Sequence, residues 1–113
     1  MKEGDLVRDI LAVYDKHPRI VLWRANTGVA RMRGFHVRFG KVGQGDITGI
    51  TEGGRRVEIE CKLKKNAQRE AQVEFADMIR RMGGIYILAF SVEDVSEALQ
   101  LVREQIRKEN VKT

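Results

Sequence analysis

The sequence has little of several residue types that mark particular protein classes. Its 113 residues include one cysteine and one proline, and aromatic residues make up 6%. A single cysteine excludes an intrachain disulfide and is typical of a reducing compartment, so we expect a cytoplasmic protein of a bacterial or viral host cell. No apolar run is long enough for a transmembrane helix and the start does not resemble a signal peptide, so no membrane association is expected.

Charge, by contrast, is abundant and unevenly distributed. Charged residues make up 33% of the chain and the net charge is +5. Basic residues dominate between Arg19 and Arg69, whereas acids outnumber bases after Arg69. This distribution favours a surface that meets a polyanion, although a merely well-solvated surface explains it equally well on its own. The length and a hydrophobic content of 42% suit one globular domain, residues 1–113.

The spacing of apolar residues predicts an α/β fold with helices packed against one sheet. The predicted order is α-β-β-β-β-α-β-α, with helices at 3–16, at 67–82 and after an N-cap at Ser91. The predicted strands are 20–23, 35–39, 47–50, 56–62 and 85–90. We expect strand 20–23 to be buried with Trp23 in the core, and strand 85–90 to be central and covered on both faces.

Acidic residues in two of these strands are the main functional signal. Side chains alternate along a strand, so Glu58, Glu60 and Lys62 share one face while Cys61 points to the core. A hairpin would bring Asp46 beside Glu60. Two adjacent carboxylates repel each other unless a divalent cation lies between them. The sequence therefore predicts a metal site at this hairpin.

Each of these residues also has an ordinary structural explanation. Asp46 follows a glycine and can be a turn residue. Glu58 and Glu60 can form the solvated face of an edge strand. Gln72 alone is an ordinary surface residue of a helix.

The pattern resembles the PD-(D/E)xK nuclease superfamily, with Asp46 as the motif Asp and Glu60-Cys61-Lys62 as (D/E)xK. Gly45 stands where the motif has Pro. More narrowly, the chain resembles the VRR-NUC family, the virus-type replication-repair nuclease module. The resemblance runs from Glu3 to Leu99 and rests on Glu3, Trp23-Arg24-Ala25-Asn26-Thr27-Gly28, Gln72, Phe75, Gly83-Gly84-Ile85-Tyr86, Ala89 and Ser91-Val92-Glu93-Asp94-Val95.

The resemblance implies a restriction-endonuclease-like fold and a stand-alone Mg²⁺- or Mn²⁺-dependent endonuclease that cuts DNA. Asp46, Glu60 and the backbone carbonyl of Cys61 are then the metal ligands, and Glu3 is a further candidate. Lys62 and Gln72 complete the catalytic set. The candidate DNA-binding residues are Arg24, Asn26, Arg31, Arg33, Lys64 and Lys65.

Stand-alone members of the family are similar to homodimeric enzymes that cut four-way DNA junctions, so a branched DNA substrate and a homodimer are expected. The first helix, around Leu6, Val7 and Ile10, and the arm Phe35–Phe39 are the candidate dimer contacts. Two other interpretations stay open. One is a catalytically weak nucleic-acid-binding module on the same fold, and the other is a structural or interaction protein.

Overall fold

The computed structural model describes residues 2–25, 28–32, 35–39, 45–63 and 70–111, with the backbone alone for 28–32, 35–39 and 102–111. These residues form a small α/β domain with a four-stranded mixed sheet and a separate two-stranded hairpin. The elements in chain order are α1 (Glu3–Val13), β1 (Ile20–Arg24), β2 (Gly28–Met32), β3 (Phe35–Phe39), β4 (Ile47–Thr51), β5 (Arg56–Cys61), α2 (Glu70–Arg81), β6 (Ile85–Ala89) and α3 (Val92–Val111).

The described part of the chain contains six strands, one more than the sequence predicts. The additional strand is β2, which pairs antiparallel with β3. The expectation that Phe35–Phe39 is a strand or hairpin arm is confirmed. Strand β2 escapes prediction because Gly-Val-Ala-Arg-Met has a single β-branched residue and no regular alternation of apolar and polar side chains.

The main sheet has the strand order β1-β4-β5-β6. Strands β1, β4 and β5 pair antiparallel, whereas β5 and β6 are parallel. The antiparallel pair β4–β5 needs only a tight turn, in which Gly53 and Gly54 have positive φ angles of 108° and 87°. The parallel pair needs a crossover connection, which contains α2.

Helices cover both faces of the sheet, but not to the same extent. On one face, α1 and α3 bury the apolar residues of all four strands, including Ile20, Ile47, Ile59 and Ile87. On the other face, α2 packs Phe75, Ala76 and Ile79 around Tyr86 of β6. This second layer lies over the β5–β6 side of the sheet. Leu6, Val7 and Ile10 of α1 are buried in the first layer, so these three side chains are not exposed for the expected dimer contact.

Two predictions about strand burial are also wrong. Strand β1 is an edge strand, in which Ile20 and Leu22 face the core while Val21 and Trp23 are exposed. Trp23 is therefore not a core residue, and 49% of its surface is accessible. Strand β6 is the last strand of this sheet and not a central one. Its continuous apolar sequence is explained by helices on both of its faces.

The helix ends follow the local sequence signals. Helix α1 stops at Val13, earlier than predicted, and Lys16 adopts a positive φ of 61° before Pro18. Gly83, with a φ of 87°, follows α2 in the predicted left-handed conformation. Ser91 caps α3, since its Oγ accepts a hydrogen bond from the Asp94 backbone N–H at 3.3 Å. Within the part of the chain that is described, no helix combines the length and apolar character needed to cross a membrane.

Candidate metal centre

Asp46 lies at the start of β4, directly beside the end of β5. Ile47 is paired with Ile59, so continuing the antiparallel register brings Asp46 next to Glu60. The Asp46 backbone N–H donates to the Ile59 carbonyl at 2.8 Å. In return, the Cys61 backbone N–H donates to Asp46 Oδ2 at 2.8 Å. These two bonds hold the carboxylate against the β5 backbone and leave Oδ1 outside this contact.

Glu60 is held from its own strand and from α2. Its side chain is almost fully buried, with the residue 4% exposed. Gln72, in the first turn of α2, donates from Nε2 to Glu60 Oε1 at 2.5 Å. Lys62 Nζ lies 3.6 Å from the same oxygen. Glu60 Oε2 takes no part in either contact, so each carboxylate of the Asp46–Glu60 pair has one oxygen outside these bonds.

The electrostatics of the site reflect this crowding of negative charge. The pKa of Glu60 is raised from 4.5 to about 7, first by burial and then by the neighbouring Asp46 carboxylate, while Lys62 acts in the opposite direction. The pKa of the Cys61 thiol is likewise raised to about 12, first by burial and then by the charges of Asp46 and Glu60. The Cys61 thiol is buried, as the sequence predicts, and its raised pKa keeps it protonated, so only its backbone faces the site.

Lys62 follows β5 at the same end of the sheet. Its backbone N–H donates to the Ala89 carbonyl at 2.9 Å, which extends the β5–β6 pairing by one residue. Its side chain is 16% exposed. The ammonium group is thereby fixed beside Glu60 and still reaches solvent, which suits a group that contacts a bound phosphate or water.

Glu3 and Arg24 lie within electrostatic range of the pair. The charge of Glu3 contributes to the raised pKa values of both Glu60 and Cys61, and the charge of Arg24 lowers that of Cys61. The end of β1 reaches the site as well, because the Ala25 backbone N–H donates to the Asp46 carbonyl at 2.9 Å. The first helix and the edge strand thus converge on the hairpin that carries Asp46.

Glu58 is fully buried, with 0% exposure, so it is not part of a solvated edge-strand face. Its Oε1 accepts from Thr48 Oγ1 at 2.6 Å and from Arg56 Nε at 2.8 Å. Its Oε2 is buried without a hydrogen-bond partner among the described residues. Sequence analysis missed the role of Thr48, although its cross-strand pairing with Glu58 in the predicted hairpin is the signal that locates it. These bonds give Glu58 a structural role on the same sheet face as Glu60.

The chemistry of the donor set fits a hard divalent cation. Where side chains are described, no three or more His, Cys, Asp and Glu residues are grouped closely enough to hold a metal ion together. Mg²⁺ does not need such a cage, because it commonly binds one or two carboxylates and keeps several waters. Asp46, Glu60 and the Cys61 carbonyl offer oxygen atoms only, which excludes a soft-metal site built on sulfur.

The remaining predicted site residues are described incompletely or not at all. Arg24 is exposed at the end of β1. Only the backbone of Arg31 is described, as part of β2. Asn26, Arg33, Lys64 and Lys65 lie outside the described residues.

A cleft of about 530 Å³ lies at the other end of the sheet and is distinct from this site. It lies between the C-terminal end of α2 and the β4–β5 turn. Its lining includes Arg55, Arg56, Phe75 and Met82. The carboxylates of Asp46 and Glu60 are not among its lining residues, so the candidate site, where β4 begins and β5 ends, is separate from this cleft.

Comparison with known proteins adds no further assignment. A scan against models of protein families gives no match, and a search of curated proteins finds no similar sequence. The functional interpretation therefore rests on the residues and the geometry described above.

Proposed function

We propose that this chain is a Mg²⁺- or Mn²⁺-dependent endonuclease that hydrolyses DNA phosphodiester bonds, a member of the VRR-NUC family of PD-(D/E)xK nucleases. The observation that carries the proposal is the pairing of Asp46 and Glu60 on adjacent strands, with Lys62 beside Glu60. The mixed sheet flanked by helices supports a restriction-endonuclease-like fold for the whole chain.

The residues at this site divide the chemistry among them. Asp46, Glu60 and the Cys61 carbonyl would hold the cation, and Glu3 would add a further acidic group nearby. When bound, the cation lowers the pKa of water and neutralises charge on the phosphate. Lys62 orients the attacking water or stabilises the charge that develops on the phosphate, since it is the cationic side chain that contacts Glu60.

Gln72 acts through Glu60. Its amide donates to Oε1 and fixes one oxygen of the carboxylate, so that the other oxygen keeps a defined direction. Because Gln72 belongs to α2, the packing of α2 on β6 also sets the position of Glu60. The helix is therefore part of the proposed active site and not only of the core.

The proposed substrate is branched DNA, and the proposed working unit is a homodimer in the cytoplasm of a bacterial or viral host cell. The net charge of +5 supports binding to a polyanion. The single cysteine, buried and protonated, is compatible with a reducing compartment.

The proposal is tested by incubating supercoiled plasmid and a synthetic four-way junction with the protein, with and without Mg²⁺. We expect cleavage that requires Mg²⁺ or Mn²⁺ and that is faster on the junction than on a linear duplex. Metal-independent retardation of DNA in a gel without any cleavage would favour the catalytically weak binding module. Neither cleavage nor retardation would point to a structural protein.

A further inference from the structure

Among the described residues, the half of one sheet face that lies over β1 and β4 carries exposed apolar side chains and is not packed by a helix. Val21 and Trp23 of β1 and Ile50 of β4 point away from the α1–α3 layer and are 57%, 49% and 44% exposed. They lie on the same face as α2, which packs over β6 at the opposite edge of the sheet. A tryptophan that is about half exposed is unusual even on an edge strand, because large aromatic side chains are mostly buried.

This open half-face is continuous with the candidate metal site. Trp23 is paired with Thr48, and Thr48 with Glu58, so all three side chains share the face that carries Asp46 and Glu60. Asp46 lies two residues before Thr48. With strands about 4.8 Å apart and a rise of about 3.3 Å per residue, the Cα atoms of Trp23 and Asp46 are roughly 8 Å apart. That separation is about two nucleotide steps of a stacked strand, at about 3.4 Å each.

We propose that Trp23 is a stacking platform for an unpaired nucleobase of the DNA strand whose phosphate lies at Asp46 and Glu60. The inference rests on the proposed nuclease function and adds to it the kind of DNA that the site takes. Aromatic side chains stack on bases of any sequence, since every base has a π-face. The site then selects strands that carry unpaired bases beside the cut, as branch points and flaps do.

Charge around the ring favours nucleic acid over a protein partner. Arg56 lies on the same sheet face as Trp23, and its side chain is 55% exposed. Its Nε lies 2.8 Å from Glu58 Oε1, and Glu58 is fully buried, so this ion pair presents its cationic partner to solvent. The Arg56 guanidinium can contact a phosphate beside a stacked base. Arg24, the residue after Trp23 on β1, points to the opposite face of the sheet. In addition, Val21, Trp23 and Ile50 together fall well short of the roughly 800 Å² that each partner buries in a standard protein interface.

The chain contains a single tryptophan, so its fluorescence reports on this position alone. The experiment titrates the full-length protein in EDTA, which prevents cleavage, with an oligothymidylate and with an abasic strand of the same length. The two strands carry the same phosphates and differ only in their bases. We expect oligothymidylate to quench the emission and the abasic strand to leave it unchanged. Equal quenching by both strands, or quenching by neither, would overturn the proposal.

Variants measured by anisotropy of labelled strands give an independent result. Trp23→Ala is expected to bind oligothymidylate about 5- to 150-fold more weakly, the range for loss of one stacked base, and to bind the abasic strand within about twofold of wild type. Trp23→Phe should restore most of the affinity. Val21→Ala is the matched control, because Val21 is equally exposed on the same strand and face but has no π-system. An equal loss for both strands in Trp23→Ala would contradict stacking.

Two further measurements separate this proposal from its rivals. The first is sedimentation, which compares the oligomeric state of wild type and Trp23→Ala. If Trp23→Ala dissociates an oligomer, and DNA does not change the tryptophan emission of wild type, then this face is a contact between chains and the stacking proposal fails. Cleavage of junction DNA by wild type, measured separately with Mg²⁺, tests the nuclease function. Cleavage without base-dependent quenching would refute the stacking platform alone, whereas quenching without cleavage would refute the nuclease and keep the platform as part of a binding module.

Discussion

Asp46 and Glu60 are two acids held side by side, and the protein tolerates this arrangement through specific contacts. Asp46 accepts a hydrogen bond from the Cys61 backbone N–H, and Glu60 accepts one from the side-chain amide of Gln72. Lys62 supplies one positive charge to Glu60. These contacts do not neutralise the pair, because the pKa of Glu60 remains raised to about 7 by burial and by Asp46. A divalent cation would complete the neutralisation, which is the reason we propose a metal site at this pair.

The raised pKa of Glu60 makes a prediction about the metal-free protein. The folded chain keeps the Glu60 proton up to about pH 7, whereas the unfolded chain loses it near pH 4.5. The contribution of Glu60 to the free energy of unfolding is therefore largest below about pH 4.5 and falls as the pH rises through 7, by roughly 3 kcal/mol at most. This loss of stability is measured by urea unfolding of the metal-free protein in EDTA at a series of pH values between 5 and 8.

Glu60→Gln is the matched variant for this experiment, because it keeps the shape and removes the titration. The difference in free energy of unfolding between Glu60→Gln and wild type should grow in favour of the variant as the pH rises. Mg²⁺ at pH 8 should stabilise wild type and have little effect on the variant. A difference that does not change with pH would show that Glu60 titrates normally.

Lys62 is predicted to serve the reaction and not the binding of the cation. Lys62→Ala should lower the single-turnover cleavage rate by about 100-fold or more, a typical effect of removing one group that stabilises charge in the transition state. Mg²⁺ binding, measured by calorimetry, should persist. Lys62→Arg is the control variant, because it keeps the positive charge that Lys62→Ala removes. Loss of metal binding in Lys62→Ala would assign the lysine to the structure of the metal site instead.

At the scale of elements, the hairpin β4–β5 is the part of the fold that positions the site. Its start requires a glycine, because a Cβ at Gly45 would lie 2.6 Å from the Ile59 carbonyl oxygen and 2.9 Å from its carbon. The neighbouring Asp46 N–H bonds to that same carbonyl. This close approach gives a steric reason for glycine where the PD-(D/E)xK motif has proline.

Gly45→Ala is therefore expected to displace Asp46 from the Cys61 N–H. It should reduce cleavage strongly and lower the free energy of unfolding by about 1–3 kcal/mol, the usual range for overpacking. Gly4→Ala is the control, since nothing lies within 4 Å of a Cβ placed there and alanine favours the helix. Thermal unfolding and the junction assay measure both effects. Wild-type cleavage by Gly45→Ala would show that the close approach at Gly45 does not position Asp46.

Local patterns in the sequence were sufficient to predict the helices, the β4–β5 hairpin and the proximity of Asp46 and Glu60. They failed where burial depends on distant elements. The alternation of Glu58 and Glu60 suggested a possible solvated face, yet α2 packs on that side and both residues are buried. Trp23 suggested a core residue, yet β1 is an edge strand with one covered face. The sequence of a strand does not show which helix will cover it or whether it will lie at the edge of the sheet, because both are set by the tertiary fold.

At the scale of the whole molecule, one chain presents one Asp46–Glu60 pair, so the proposed nuclease would make one cut per chain at a time. A four-way junction has two-fold symmetry and needs two opposed cuts, which a C2 dimer supplies. We therefore expect a homodimer by light scattering at micromolar concentration, and paired symmetric cuts in the junction. A protein that stays monomeric both free and on the junction, yet makes paired symmetric cuts, would contradict the dimer. A monomer that only nicks would favour a general nickase.

The central claim is that Asp46 and Glu60 form the centre of a metal-dependent nuclease. Its most direct test is single-turnover cleavage of a four-way junction in Mg²⁺ by wild type, Asp46→Asn, Glu60→Gln and the control Glu52→Gln, an exposed acid in the β4–β5 turn. The account predicts that the first two variants lose cleavage and bind DNA as well as wild type or more tightly, because a negative charge near the phosphate is removed. Glu52→Gln should cut normally. Cleavage by Asp46→Asn and Glu60→Gln at the wild-type rate would contradict the account.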